Sequence, residues 1–128
     1  MKDEHIFAGR RIVIAEDEVL IVMLLEQILL DAGGDNPVIA KTVPAALAAL
    51  EAAPCDLLIL DLSLCGMIST EVAIQALAAD VPVLLSSGRL PDDLPPVVAR
   101  LAFLRKPYQV AEVIDAVTKV LTGAQTSV

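Results

Sequence analysis

Residues 57–61 read Leu-Leu-Ile-Leu-Asp, four aliphatic side chains in a row ending on a carboxylate. A strand with one wet face alternates apolar and polar residues. An unbroken apolar run instead marks a strand covered on both faces, as in a parallel sheet packed between helices. The same kind of run recurs at residues 11–15 (RIVIA), 36–40 (NPVIA), 81–85 (VPVLL) and 102–104 (AFL). With LLIL at 57–60 these predict five buried strands.

Between the runs the apolar period changes to that of a helix. Leu20, Ile21, Leu24, Leu25, Ile28 and Leu29 share one side of a helix that Gly33 and Gly34 stop. Thr42 is placed to cap a second helix through Ala45, Leu47, Ala48 and Leu50, with Pro44 in its first turn. A third begins at Ser69 or Thr70 and carries Val72, Ile74 and Leu77. Pro107 and Tyr108 lead into the last, with Val110, Val113, Ile114, Val117 and Leu121 on one side. Strands alternating with helices imply right-handed crossovers and a doubly wound α/β sheet. One connection departs from this. Residues 88–100 contain Pro91, Pro95 and Pro96, so a fourth helix there is confined to a turn or two near residues 96–100.

With 56% apolar and 20% charged residues, the chain can fill a core and is not a disordered sequence. Its 128 residues suit one domain over 1–128, its core running from about residue 10 to 121. Aromatic residues are only 2%, so Leu, Ile, Val and Ala must build that core. A net charge of −8 argues against nucleic acid as a partner, because phosphates are met by basic clusters. No apolar stretch is long enough for a membrane span, and residues 1–10 hold no signal-peptide run. Cys55 and Cys65 form no metal-binding spacing and read as free thiols in a reducing compartment, which implies the cytoplasm.

In doubly wound sheets the site lies beyond the carboxyl ends of the strands. After the first run come Glu16, Asp17 and Glu18; after the third, Asp61; after the fourth, Ser86, Ser87 and Gly88; after the fifth, Lys106 and Pro107. Carboxylates, a hydroxyl and an ammonium thus converge on one rim from four distant parts of the chain. Crowded carboxylates repel one another, and a hard cation such as Mg²⁺, which takes oxygen ligands, relieves them. An aspartate at a strand tip can act as nucleophile toward phosphorus, giving an acyl phosphate. The charge on the transferred group would then be met by Ser87 and Lys106. Ser87 is preferred to Ser86 because Gly88 beside it leaves room.

This pattern resembles the receiver domains of bacterial response regulators, and the resemblance runs from Arg11 to about Leu121. No single motif is specific; four in order on the right elements are. The resemblance implies a flavodoxin-like sheet of order 2-1-3-4-5 with no antiparallel strand; the short or poorly ordered fourth helix that the prolines predict departs from the family, which usually has a full helix there. It implies that Asp61 is phosphorylated and that Mg²⁺ is held by Asp17, Asp61 and the Ser63 carbonyl, with Glu16 acting mostly through water. Ser87 and Lys106 would contact the phosphoryl group, Lys106-Pro107 would be a cis peptide, and Phe103 would be the aromatic switch partner of Ser87. The phosphodonor would be a histidine kinase or histidine phosphotransfer protein. Output would be a phosphorylation-dependent contact with a downstream protein, the chemistry being self-phosphorylation and self-dephosphorylation rather than turnover of a substrate. The loop after Asp61 (LSLCG) departs from the family in lacking a proline often found there.

Plainer readings stand beside these. Asp17 would serve as a cap for the helix from Val19, Glu18 and Arg89 as solvated charges, Lys106 as a surface lysine and Phe103 as a core residue. Ser86 reads as a strand-end hydroxyl without a role and Tyr108 as packing behind the loop. A haloacid-dehalogenase-type phosphohydrolase would need a second acid two residues after the nucleophile, where Ser63 stands. A degenerate receiver acting only by binding would have lost the acidic pair or the lysine, and both are present.

Overall fold

Aliphatic runs become strands here because both their faces find cover, and the predicted bounds shift by only one or two residues. The computed structural model describes residues 7–88 and 94–123. In chain order the elements are β1 (Ile12–Ala15), α1 (Val19–Asp31), β2 (Val38–Ala40), α2 (Val43–Ala52), β3 (Leu57–Asp61), β4 (Ser63–Leu64), β5 (Met67–Ile68), α3 (Thr70–Ala78), β6 (Val83–Ser87), α4 (Pro96–Ala99), β7 (Ala102–Arg105) and α5 (Val110–Thr122).

The five longer strands form one sheet, β2-β1-β3-β6-β7, with every pair parallel. Counted without the two short strands, this is the expected order 2-1-3-4-5. The expectation that no strand is antiparallel holds for this sheet but needs correction for the chain. β4 and β5 pair antiparallel as a separate hairpin just after Asp61. Its two-residue turn is Cys65-Gly66, with φ of 51° and 79°. Two successive left-handed residues match the right-handed twist of a hairpin. Two-residue strands are too short to show any alternation in sequence, which is why the hairpin was not legible.

Successive strand residues point to opposite faces, and the burial pattern follows that rule. On one face Val13, Ala15, Leu58, Leu60, Val83 and Leu85 pack with Ala46 of α2, Val72, Ala73 and Ala76 of α3, and Val98 of α4. On the other, Ile12, Ile14, Leu57, Ile59, Leu84 and Leu104 pack with Leu25, Ile28 and Leu29 of α1 and Val113, Val117 and Val120 of α5. The core is therefore two apolar layers separated by the sheet.

Local signals act as expected. Thr42 Oγ1 accepts from Ala45 N at 3.1 Å, capping α2. α1 ends at Asp31, and Gly34 N then donates to Leu29 O at 2.9 Å. A Cβ on Gly34 would lie 3.0 Å from that same carbonyl, so the approach favours glycine. α4 is a single turn anchored by the buried Val98, as the prolines dictate. Of the proline-rich connection, residues 89–93, and with them Arg89, lie outside the described residues. No helix among the described residues is long and apolar enough to cross a membrane.

Candidate functional site

Three strand tips deliver the charged groups. Glu16 continues β1 by one residue, its N donating to Ala40 O at 3.0 Å. Asp61 is the last residue of β3. Lys106 extends β7, its N donating to Ser87 O at 2.8 Å, and the Lys106-Pro107 bond is cis. Residues two apart share a face, so Glu16 follows Ile12 and Ile14, Asp61 follows Leu57 and Ile59, and Lys106 follows Leu104. All three therefore lie on the α1/α5 side, and the sheet carries them together at its carboxyl edge.

The Lys106 ammonium is the centre of the cluster. Its Nζ lies 2.9 Å from Glu16 Oε1, 2.8 Å from Glu18 Oε1 and 3.0 Å from Asp61 Oδ2. The side chains of Lys106, Glu16 and Asp61 are 14%, 2% and 8% exposed, whereas that of Glu18 is 62% exposed. The remaining oxygens are also held. Asp61 Oδ1 accepts from Ser63 N at 3.0 Å, and Glu16 Oε2 from Glu18 N at 3.0 Å.

Burial disfavours the charged form of Glu16 and pushes its pKa from 4.5 to about 7. The Lys106 ammonium and the Glu18 N–H oppose that rise, while the Asp61 charge adds to it. For Lys106, burial acts to lower the pKa, but Glu18, Glu16 and Asp61 together outweigh it and raise it. The ammonium therefore stays charged.

The donor set fits a hard cation. Glu16, Glu18 and Asp61 each offer a carboxylate oxygen, and these lie within 4.8 Å of one another. Oxygen-only donors with negative charge to spare suit Mg²⁺ rather than zinc. Asp17 is not part of this convergence: its Oδ2 accepts from Cys65 N at 2.9 Å, which ties the end of β1 to the hairpin turn. It does not cap α1 either; Glu18 holds the N-cap position, without a side-chain cap bond. Ser63 follows Asp61 by two residues and opens the hairpin.

Glu18 is exposed, as read from the sequence, and its carboxylate is also engaged by Lys106 across 88 positions of chain. The surface-lysine reading of Lys106 does not hold, since its ammonium is enclosed by carboxylates. Ser69, read only as a helix start, was missed. It is fully buried, and its Oγ donates to the Asp61 carbonyl at 2.6 Å, fixing the backbone at the strand tip. A hydroxyl eight residues beyond an aspartate carries no sequence signal that separates this from capping.

Ser86 is the register partner of Asp61, shares its face and is buried. Ser87, one step on, belongs to the opposite face with Val83 and Leu85. A bond from Ser87 Oγ to a group on Asp61 must therefore pass over the end of the strand. A Cβ on Gly88 would meet nothing within 4 Å, so the rim is open there. Phe103 is half-buried, pairs in register with Leu85 and packs on the α2–α4 layer. Tyr108 is buried in the α1/α5 layer; burial pushes its phenol up, with the Ser86 hydroxyl opposing. Arg105 is exposed.

The sequence matches no protein-family model and no curated protein. Solved structures do resemble it. SdrG from Sphingomonas melonis Fr1 is 34% identical, with a TM-score of 0.77 over 88% of this chain and 96% of that one. The REC domain of the PhyR response regulator from Erythrobacter litoralis is 26% identical, with a TM-score of 0.77 over 90% and 92%. The chemotaxis protein CheY4 of Vibrio cholerae, at 21% identity and a TM-score of 0.75, covers 89% of this chain and 100% of its own, and attests the shared fold.

Proposed function

Because this chain belongs to the receiver-domain family of response regulators, we propose that it takes a phosphoryl group onto Asp61 and signals through the change that follows. The observation that carries this is the buried meeting of Asp61 and Glu16 with Lys106 at the carboxyl edge of the sheet.

The donor is a phosphohistidine on a histidine kinase or a histidine phosphotransfer protein. An Asp61 carboxylate oxygen forms a bond to phosphorus as the phosphorus–nitrogen bond breaks. The histidine nitrogen keeps the electron pair and picks up a proton. Bound Mg²⁺ would supply charge neutralisation and orientation of the phosphoryl oxygens. Glu16, Asp17, Asp61 and the Ser63 carbonyl are the groups that would hold it; Asp17 Oδ2 here accepts from Cys65 N. Lys106 stays protonated and meets the oxygens that gain charge. Ser87 reaches over the end of β6 to donate a hydrogen bond, which draws the strand tip and makes space for Phe103 to turn inward. The chain is no enzyme toward small substrates in this reading; it works in the cytoplasm, and its output is contact with a downstream protein.

The test is incubation with acetyl phosphate and Mg²⁺, followed by intact mass. Wild type should gain one phosphoryl group and Asp61→Asn none. A wild-type mass that stays unchanged with acetyl phosphate and with a phosphorylated histidine donor would overturn the proposal.

A further inference from the structure

Glu18 is the member of the acidic cluster to which the phosphoryl-transfer reading gives no task. Its side chain contributes no cap bond to α1, although it occupies the N-cap position. It is largely exposed, yet its Oε1 makes the shortest of the three Lys106 contacts, at 2.8 Å. The other two Lys106 partners, Glu16 and Asp61, are among the groups assigned above to a divalent cation.

A doubly charged ion and an ammonium cannot both take the charge of Asp61 and Glu16 without repelling each other. Lys106 has a flexible four-carbon stem and is already bonded to an acid outside that pair. Moving it toward Glu18 breaks two contacts and keeps the third. An exposed glutamate can follow at little cost in packing. Resting on the metal-binding reading above, we propose that Glu18 is a positioning residue that holds the Lys106 ammonium when a divalent cation claims Asp61 and Glu16. Glu18 thereby keeps the lysine close to the acceptor while removing it as a competitor. Its backbone N–H already serves Glu16 Oε2, so changing the side chain leaves that support in place.

The experiment is a Mg²⁺ titration by calorimetry on four proteins: wild type, Glu18→Gln, Lys106→Met and the double variant. With lysine present, Glu18→Gln should weaken Mg²⁺ binding about fivefold, the scale of one well-placed ion pair. In the Lys106→Met background the same change should have no effect, because no ammonium needs a second partner. If Glu18 acted only through its negative charge, the loss would be equal in both backgrounds, and that result overturns the proposal. Wild type that binds no Mg²⁺ would remove the metal site itself, and this role with it. Should Lys106→Met not remain folded, the ¹⁵N ammonium signal of Lys106 carries the test. It should survive Mg²⁺ in wild type and vanish in Glu18→Gln. Its loss on Mg²⁺ addition to wild type would sink the idea.

Discussion

Replacing Lys106 with Met removes a cation that touches two buried carboxylates while keeping most of the stem's volume. Oxygens of Glu16 and Asp61 lie within 4.8 Å of each other. The ammonium holds both, at 2.9 and 3.0 Å, and stripping such a partner from buried charges costs on the order of 3–5 kcal/mol. The protein has one escape, protonation of Glu16, whose pKa already stands at about 7 with the ammonium present. Glu16 is a group whose folded pKa is raised. Its favourable contribution is complete below 4.5 and disappears as pH rises through about 7, a swing of about 3 kcal/mol in wild type. Lys106 lowers that pKa, so losing it moves the folded value further up and widens the swing. Urea denaturation of both proteins at pH 5 and pH 9, in chelator, measures this. The variant should be modestly destabilised at pH 5, where Glu16 is protonated, and by about 3 kcal/mol more at pH 9. Mg²⁺ in the millimolar range should recover much of the deficit at pH 9. An equal deficit at both pH values would show that Lys106 does not neutralise the pair, and the electrostatic reasoning would fail.

Ser69→Ala removes the 2.6 Å bond to the Asp61 carbonyl and leaves that oxygen buried, so urea denaturation should show a loss of about 1–3 kcal/mol. Asp17→Asn should weaken Mg²⁺ binding by about tenfold or more in calorimetry, as loss of a direct ligand charge does; wild-type affinity would take Asp17 out of the metal set. Ser87→Ala should still accept one phosphoryl group by intact mass, yet with beryllofluoride and Mg²⁺ it should lack the amide shift that wild type shows at Phe103. Identical shifts in the two proteins would mean that Ser87 is not the coupling residue.

The parallel sheet could be read from the sequence because the aliphatic runs at 12–15, 57–60 and 83–85 are buried on both sides and have no alternative use, whereas its order came from the family resemblance. α4 was legible through its prolines, since Pro96 permits only a start. Asp61 and Lys106 stood out because strand tips fix where such residues end up. Glu16, Asp17 and Glu18 are consecutive, and sequence alone does not say which way each points. The structure turns Glu16 inward by strand alternation, sends Asp17 to Cys65 and leaves Glu18 at a helix start within reach of Lys106. Ser69 and the hairpin were hidden for a different reason. Each depends on a contact made after the chain has turned back on itself, and a two-residue strand has no period to detect.

The division of the interior by the sheet also sets how a message can travel. Acid, lysine and Ser86 occupy one compartment, and Phe103 with α4 the other. A wall of hydrogen-bonded peptides stands between them, and side chains do not cross it. Residues 86 and 87 are neighbours in chain that open onto different rooms, so the end of β6 is where the two meet. Repacking the apolar residues under α1 and α5 should retune the chemistry and leave the Phe103 side undisturbed. Repacking under α4 should do the reverse. Under the phosphoryl-transfer proposal, a regulator built this way changes its audience without changing how it is charged.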